Sequence, residues 1–498
     1  MARRRVDRAV GITGVTSEPS LVERGPRRKA LPLPLIVVSV IFVAVTLPVV
    51  VDGGPLADDY HNCIRPTEVG YDGFLGESSR ALGVVRPARF VEIFTIGSLC
   101  QRVPFGVVIL VPLGLTLLVA FAIRGLLRDL HVPGAWPDVG GAIWLLHPVG
   151  AESALWPSAL HVPLGLLAAV WALRWYRRER YVAGTVAALA AFLSVEQTIL
   201  ALPLAVWLVS EGEGRRRSTL WCASAAGVIA VAYALGPGTD PRAAVPLVER
   251  ITSIVEDPLW YLEYPAVGLG LHSIPLAIVW AFPVSVLLLA GGAWLGVASR
   301  RWLAIGEPPT GLDRRSLVRS ALAIAALLVL VNLPLMTTVP RGHDPRTFSP
   351  TWLIVAVLVP LIATRVVFPK AAWVWGVAGA VAVACVLSLA LSVWVRYRTA
   401  GFTEASMRAI ADRISDGQVV QVCGVERAVT WPAPAGSYAL NEFVYDWAAH
   451  DALAYHTGRQ ARFRLSGPLW GTDCPTGDEA DLVVGFDELL RVAGLPEP

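Results

Sequence analysis

The stretch LPLPLIVVSVIFVAVTLPVVV (Leu31–Val51), followed by DGGPLADDYH (Asp52–His61), decides the reading of this chain. Its first half is an unbroken apolar run without a charge. A helix needs about 20 such residues to cross the hydrocarbon core of a bilayer. Its second half turns polar at once and carries two adjacent carboxylates, Asp58 and Asp59. Ionised side chains are costly in lipid. The pair must therefore face water, a cavity or a partner at what the run predicts to be a membrane surface.

Working outward, similar runs recur to residue 394. Hydrophobic residues make up 55% of the 498, charged residues 16%, and the mean hydropathy is +0.57. Soluble domains carry about 25% charged residues. The runs are continuous rather than alternating, which excludes a β-barrel and predicts an all-α polytopic membrane protein. The net charge of +3 gives no reason to expect nucleic-acid binding.

About eleven spans are expected: Leu31–Val51, Val103–Ile123, Val139–Leu146, Val162–Leu173, Tyr181–Leu193, Thr198–Val209, Leu220–Leu235, Ile274–Val297, Leu317–Met336, Thr351–Ala363 and Ala371–Trp394. Arginines and a lysine follow every even-numbered span: Arg124 and Arg128; Arg174 to Arg180; Arg215 to Arg217; Arg300 to Arg315; Arg365 and Lys370. Basic loops stay in the cytoplasm. The N-terminus is then cytoplasmic, and the polar segment after span eleven is extracytoplasmic, in a multi-pass plasma-membrane protein. Three regions result: a basic, disordered arm at 1–30, a membrane domain at 31–395, and a small α/β domain at 396–498. The first apolar run has no small-residue cleavage site after it and reads as a signal anchor. The mixed segment Ser78–Ile96 is expected to form one or two surface helices, and Val248–Tyr264 an interfacial one.

Cys63 and Cys100 share one outer loop, and Cys423 and Cys474 share the outer tail. Both pairs are expected to be disulfides, which persist outside the cytoplasm. Cys222 and Cys385 lie in apolar runs and read as core residues.

The unusual polar groups all fall on the outer side: Asp58 and Asp59, His147 and Glu152, Glu196, and the loop holding Arg341 and Arg346. Here several motifs resemble one family. His147-Pro148-Val149-Gly150-Ala151-Glu152-Ser153-Ala154-Leu155-Trp156 looks like the second outer loop of GT-C polyprenyl-phosphate-dependent glycosyltransferases, nearest the protein O-mannosyltransferase branch. The acidic pair in the first outer loop fits that superfamily. Ser194-Val195-Glu196 resembles its Ser-Lys-Glu turn, with Val195 where lysine is expected. Arg346-Thr347-Phe348-Ser349-Pro350 resembles a later Arg-aromatic motif at the start of a span. The likeness covers roughly Leu31–Ala363, and the tail lacks the helical repeats of that branch.

The resemblance implies a sugar donor on a polyprenyl phosphate and a glycan, lipid or protein acceptor in the cell envelope. A carboxylate within reach of the acceptor hydroxyl can take its proton. Asp58 is assigned this role, with Asp59 as the alternative base or its orienting partner. Arg346, then Arg341, would hold the donor phosphate. His147 would bind phosphate or sugar, or else finish a helix. Trp156 would stack on a sugar. Glu152 and Glu196 would orient substrate groups or bind a divalent cation with Asp58. No spacing of His and Cys suggests a structural metal. Two other readings stand beside this one. A lipid-linked saccharide flippase would line a pathway with these charges, and a non-catalytic envelope-assembly protein would bind a partner with its outer domain.

Overall fold

A computed structural model describes residues 33–55, 58–82, 87–100, 102–147, 153–235, 290–297, 322–333, 349–365, 372–424, 446–466, 474 and 480–494. The protein is mostly helical, with a small strand region near its C-terminus. In chain order the helices are α1 (Leu33–Asp52), α2 (Asp58–Leu82), α3 (Pro87–Cys100), α4 (Phe105–Asp129), α5 (Trp136–Leu146), α6 (His161–Arg177), α7 (Tyr181–Ser194), α8 (Thr198–Val209) and α9 (Gly214–Leu235). They continue with α10 (Leu322–Leu333), α11 (Ser349–Arg365), α12 (Ala372–Ala411), α13 (Asp446–Thr457) and α14 (Phe486–Val492). Residues 290–297 are also helical.

Among the described residues, three helices are long and apolar enough to cross a membrane: Leu33–Asp52, Phe105–Asp129 and Pro157–Arg177. In α1 the polar side chains are satisfied within the helix. Ser39 donates to the Leu35 carbonyl at 2.8 Å, and Thr46 to that of Phe42 at 2.9 Å. Where no water is available, hydroxyls must find such partners. The outward faces of the bundle are apolar: Leu33, Val40 and Val51 on α1, Leu118 on α4, Val182 and Val186 on α7, and Val228 on α9 are all exposed. An apolar exterior of this extent fits lipid rather than water. Inside, α5 packs on α1, α4 and α11. The Trp144 indole of α5 is fully buried and donates to the Thr116 carbonyl of α4 at 3.1 Å.

The bundle has two chemically distinct ends. At one, the C-termini of α4, α6 and α8 meet. Arg174 and Arg178 of the α6 end reach the Asp129 carboxylate at 2.8 and 2.7 Å. Arg177 donates to the carbonyls of Asp129 and Val209 and to Glu211. These are three of the basic exits read from the sequence. The other end carries the α6 N-terminus, the α7–α8 turn and the start of α11.

The loop after span one departs from expectation. Instead of one or two helices within Ser78–Ile96, nearly all of it is helical, as α2 and α3. Asp58 and Asp59 open α2. Carboxylates are favoured there by the helix dipole. α2 is kinked at Gly70, whose φ of 74° suits a residue without a β-carbon. The Cys63–Cys100 disulfide joins α2 to the end of α3, with α-carbons 5.5 Å apart. The stretch Val248–Tyr264 lies outside the described residues.

α12 has 40 residues, or about 60 Å at 1.5 Å per residue. That is twice the hydrocarbon thickness of about 30 Å. The expected boundary at 395 thus falls inside one continuous helix, whose far end enters a second core. Phe402, Met407, Ile410 and Ala411 pack there with Leu453 of α13 and Leu489 and Leu490 of α14. Between them lies a parallel sheet of β1 (Val419–Cys423), β2 (Arg462–Ser466) and β3 (Leu482–Gly485), ordered β2-β1-β3. Val420, Gln421 and Val422 of the central strand are all buried, as a parallel strand covered on both faces requires. Cys474 is bonded to Cys423 at the end of β1, with α-carbons 5.6 Å apart. Cys222 is buried, and Cys385 is partly so.

Candidate functional site

The first turn of α2 lies between the two cores. Asp59 and Asn62 are three residues apart, on one helical face. Both reach Ser158, in the short 3₁₀ turn Pro157–Ala159 that leads into α6. Asp59 Oδ1 accepts from the Ser158 N–H at 2.8 Å and from its hydroxyl at 2.7 Å. Asn62 Nδ2 donates to Ser158 Oγ at 2.7 Å. Asp59 is fully buried, and its Oδ2 lies 3.7 Å from Nη2 of Arg396 on α12. Its charge is therefore balanced by a cation from the other end of the sequence.

The intervening residues face the C-terminal unit. The Tyr60 hydroxyl bonds His456 Nε2 at 2.9 Å, and His61 Nδ1 bonds Asp451 Oδ2 at 2.8 Å. Tyr60 is fully buried and belongs to the C-terminal core. The C-terminal unit thus braces the helix that carries the acidic pair. Asp58 itself is only partly buried. Asp59 is occupied in holding α2 to the turn before α6.

Glu196 is partly buried in the turn between α7 and α8. The neighbouring Val195 packs on Gly165, where an added β-carbon would sit 2.7 Å from Ser194 and Val195 side-chain atoms. Only glycine allows this turn to lie so close to the first turns of α6. The Glu196 turn therefore joins the same end of the bundle as Ser158.

Two expected contacts change character. Trp156, expected to stack on a sugar, is only 6% exposed and belongs to the main apolar core. An aromatic ring suits either environment, and here protein surrounds it. His147 is fully buried at the end of α5, with its ring centroid 3.7 Å from that of Trp352. It finishes a helix and packs on α11 rather than facing an open cavity. Glu152, Arg341 and Arg346 lie outside the described residues. Their sequence neighbours Ser153 and Ser349 are both buried and hydrogen-bonded at 2.9 Å. Among the described residues, no three His, Cys, Asp or Glu side chains converge to hold a metal.

One pair escaped the sequence reading. Glu92 on α3 is fully buried and bonds His161, the first residue of α6. Near the C-terminal unit, burial raises the Tyr455 hydroxyl pKa, with the Asp59 and Glu404 carboxylates adding to it. Burial also pushes His456 down to about 4, while Glu404 opposes this and Arg408 adds to it.

His456 makes the brace sensitive to acid. Its ordinary value is 6.5, so between pH 6.5 and about 4 the unfolded chain binds a proton that the folded protein refuses. Stability is then fully present above 6.5 and is lost as the pH falls through that window. The unfolding temperature should drop more steeply on acidification in the wild type than in His456→Gln. Equal slopes would exclude this origin.

No family model, no curated protein and no solved structure matches this chain.

Proposed function

We propose that the chain is a multi-pass plasma-membrane glycosyltransferase of GT-C type. It moves a sugar from a polyprenyl-phosphate donor to a glycan, lipid or protein acceptor of the cell envelope, on the extracytoplasmic face. The observation that carries this reading is the Asp58-Asp59 pair just beyond the first apolar helix, with Asp59 bound to Ser158 and facing Arg396. It leaves Asp58 as the base for the acceptor hydroxyl. As the acceptor oxygen bonds the anomeric carbon, the phosphate departs with the bonding electrons. Arg346 and Arg341 stabilise its charge.

The sidedness of the bundle supports the same reading. The basic ends of α4, α6 and α8 share one end, while Asp59, Ser158 and the Glu196 turn share the other. This is the arrangement a site at one membrane surface needs. A flippase would instead require charges along the whole depth of the bundle. About eleven crossings then leave the C-terminal domain outside the cytoplasm. A reporter active only in the cytoplasm, fused after Pro498, should be silent; strong activity would overturn the topology.

The donor assignment is tested by binding. Purified protein in nanodiscs should bind a polyprenyl-phosphate sugar, and Arg346→Ala should weaken that binding about 10- to 100-fold, as loss of a hydrogen bond to a charged group does. A protein that binds no member of a panel of such donors would contradict the reading.

A further inference from the structure

The buried carboxylate of Glu92 has two unlike oxygens. Oε2 accepts from the backbone N–H of His161 at 3.2 Å and lies 2.5 Å from Nδ1 of the same residue. Oε1 is buried and makes no hydrogen bond among the described residues. Glu92 is fully buried, while the His161 side chain keeps 23% of its surface. His161 follows Ser158 by three positions, so it stands one helical turn from the group that holds Asp59.

A carboxylate without water is stable only if its charge is balanced. Among the described residues, the hydrogen-bond partner of Glu92 is His161, through both its backbone N–H and its ring. Nδ1–H of His161 then points at Glu92, and Nε2 is left for another partner. A carboxylate that holds Nδ1 is also how the ring of a reactive histidine is oriented. Capping the α6 N-terminus explains the backbone bond, but not the ring contact or the exposed edge. The charged groups shown at this turn are Glu92 of α3, Asp59 of α2, which accepts from Ser158, and Arg396 of α12, 3.7 Å from Asp59.

We propose that Glu92 and His161 are a second proton-carrying pair of the outer-face site, with His161 Nε2 donating to the departing polyprenyl phosphate and Glu92 positioning the ring. The inference rests on the glycosyltransferase reading. The acceptor oxygen bonds the anomeric carbon, and its proton passes to Asp58. The bond from the anomeric carbon to the phosphate oxygen breaks, and its electron pair stays on the phosphate. His161 gives its Nε2 proton to a phosphate oxygen and becomes neutral. Proton exchange with water then restores both Asp58 and His161.

The test is binding of a short-chain polyprenyl phosphate to the purified full-length protein, followed between about pH 5.5 and 8.5, where a histidine titrates. Inorganic phosphate and the uncharged polyprenol are the comparison ligands. The informative variant is His161→Asn, whose amide can still donate to Glu92 but has no counterpart of Nε2. Wild type should bind polyprenyl phosphate more tightly as the pH falls. His161→Asn should bind it about 10- to 100-fold more weakly at the acid end, with a flattened pH dependence. Glu92→Gln should move the midpoint to lower pH, because the imidazolium loses its carboxylate. Competition by inorganic phosphate, lost in His161→Asn, would support the contact and assign it to the headgroup alone. If His161→Asn, folded as judged by its melting temperature, keeps wild-type affinity and pH profile, the proposal is overturned while the glycosyltransferase reading stands. If wild type binds no polyprenyl phosphate at all, both fall.

Discussion

Asp58→Asn is expected to slow sugar transfer by about 10²–10⁴-fold, the usual contribution of a general base, while leaving donor binding unchanged. The substitution keeps the shape of the side chain and removes its basicity. Asp58 is suited to the role because its neighbour has taken the structural one. Asp59 is saturated by Ser158 and faces Arg396, whereas Asp58 is partly open at the first turn of α2. Measured at matched amounts of folded protein, a full rate in Asp58→Asn would remove Asp58 from the mechanism.

Asp59→Ala should act on the fold instead, and strongly. Asp59 is fully buried and ties three separate parts of the chain: α2, the turn before α6, and α12. Its loss leaves the Ser158 N–H without its acceptor and removes the carboxylate facing Arg396. Removing one member of a buried ion pair costs about 3–5 kcal/mol. Thermal unfolding in detergent should shift far more than for Ser158→Ala, which keeps both charges. Its effect should be nearer the cost of one buried hydrogen bond, about 1–3 kcal/mol. An Asp59→Ala protein that melts like wild type would show that the network carries no stability.

The sequence made much of this architecture legible. The expected span Thr198–Val209 coincides with α8, and Leu31–Val51 differs from α1 by two residues at its start and one at its end. Apolar runs bounded by arginines define such helices without help from the rest of the fold. Both cysteine pairings also followed from which segments shared a side. The segment after the first apolar helix was harder. Its helix α2 contains Pro66 and Gly70 and few apolar residues, and is held largely by Tyr60, His61 and the distant C-terminal unit. No local periodicity reports such a contact. Glu92 and His161 are ordinary residues in sequence, 69 positions apart, and only the packing of α3 beside α6 gives them to each other. Arg396, too, lies far from Asp59 in sequence, and α12 carries it back to that carboxylate. Trp156 shows the opposite error: a residue type common in sugar sites, with the packing needs of a core.

A glycosyltransferase of the proposed kind cleaves the bond between a sugar and a polyprenyl phosphate. The direct measurement incubates purified wild-type protein with a panel of polyprenyl-phosphate sugars and quantifies free polyprenyl phosphate by mass spectrometry. Time-dependent release is expected from at least one donor, one sugar transferred or hydrolysed per phosphate freed, with release suppressed in Asp58→Asn. Folded protein that binds these donors and returns every one intact would contradict it.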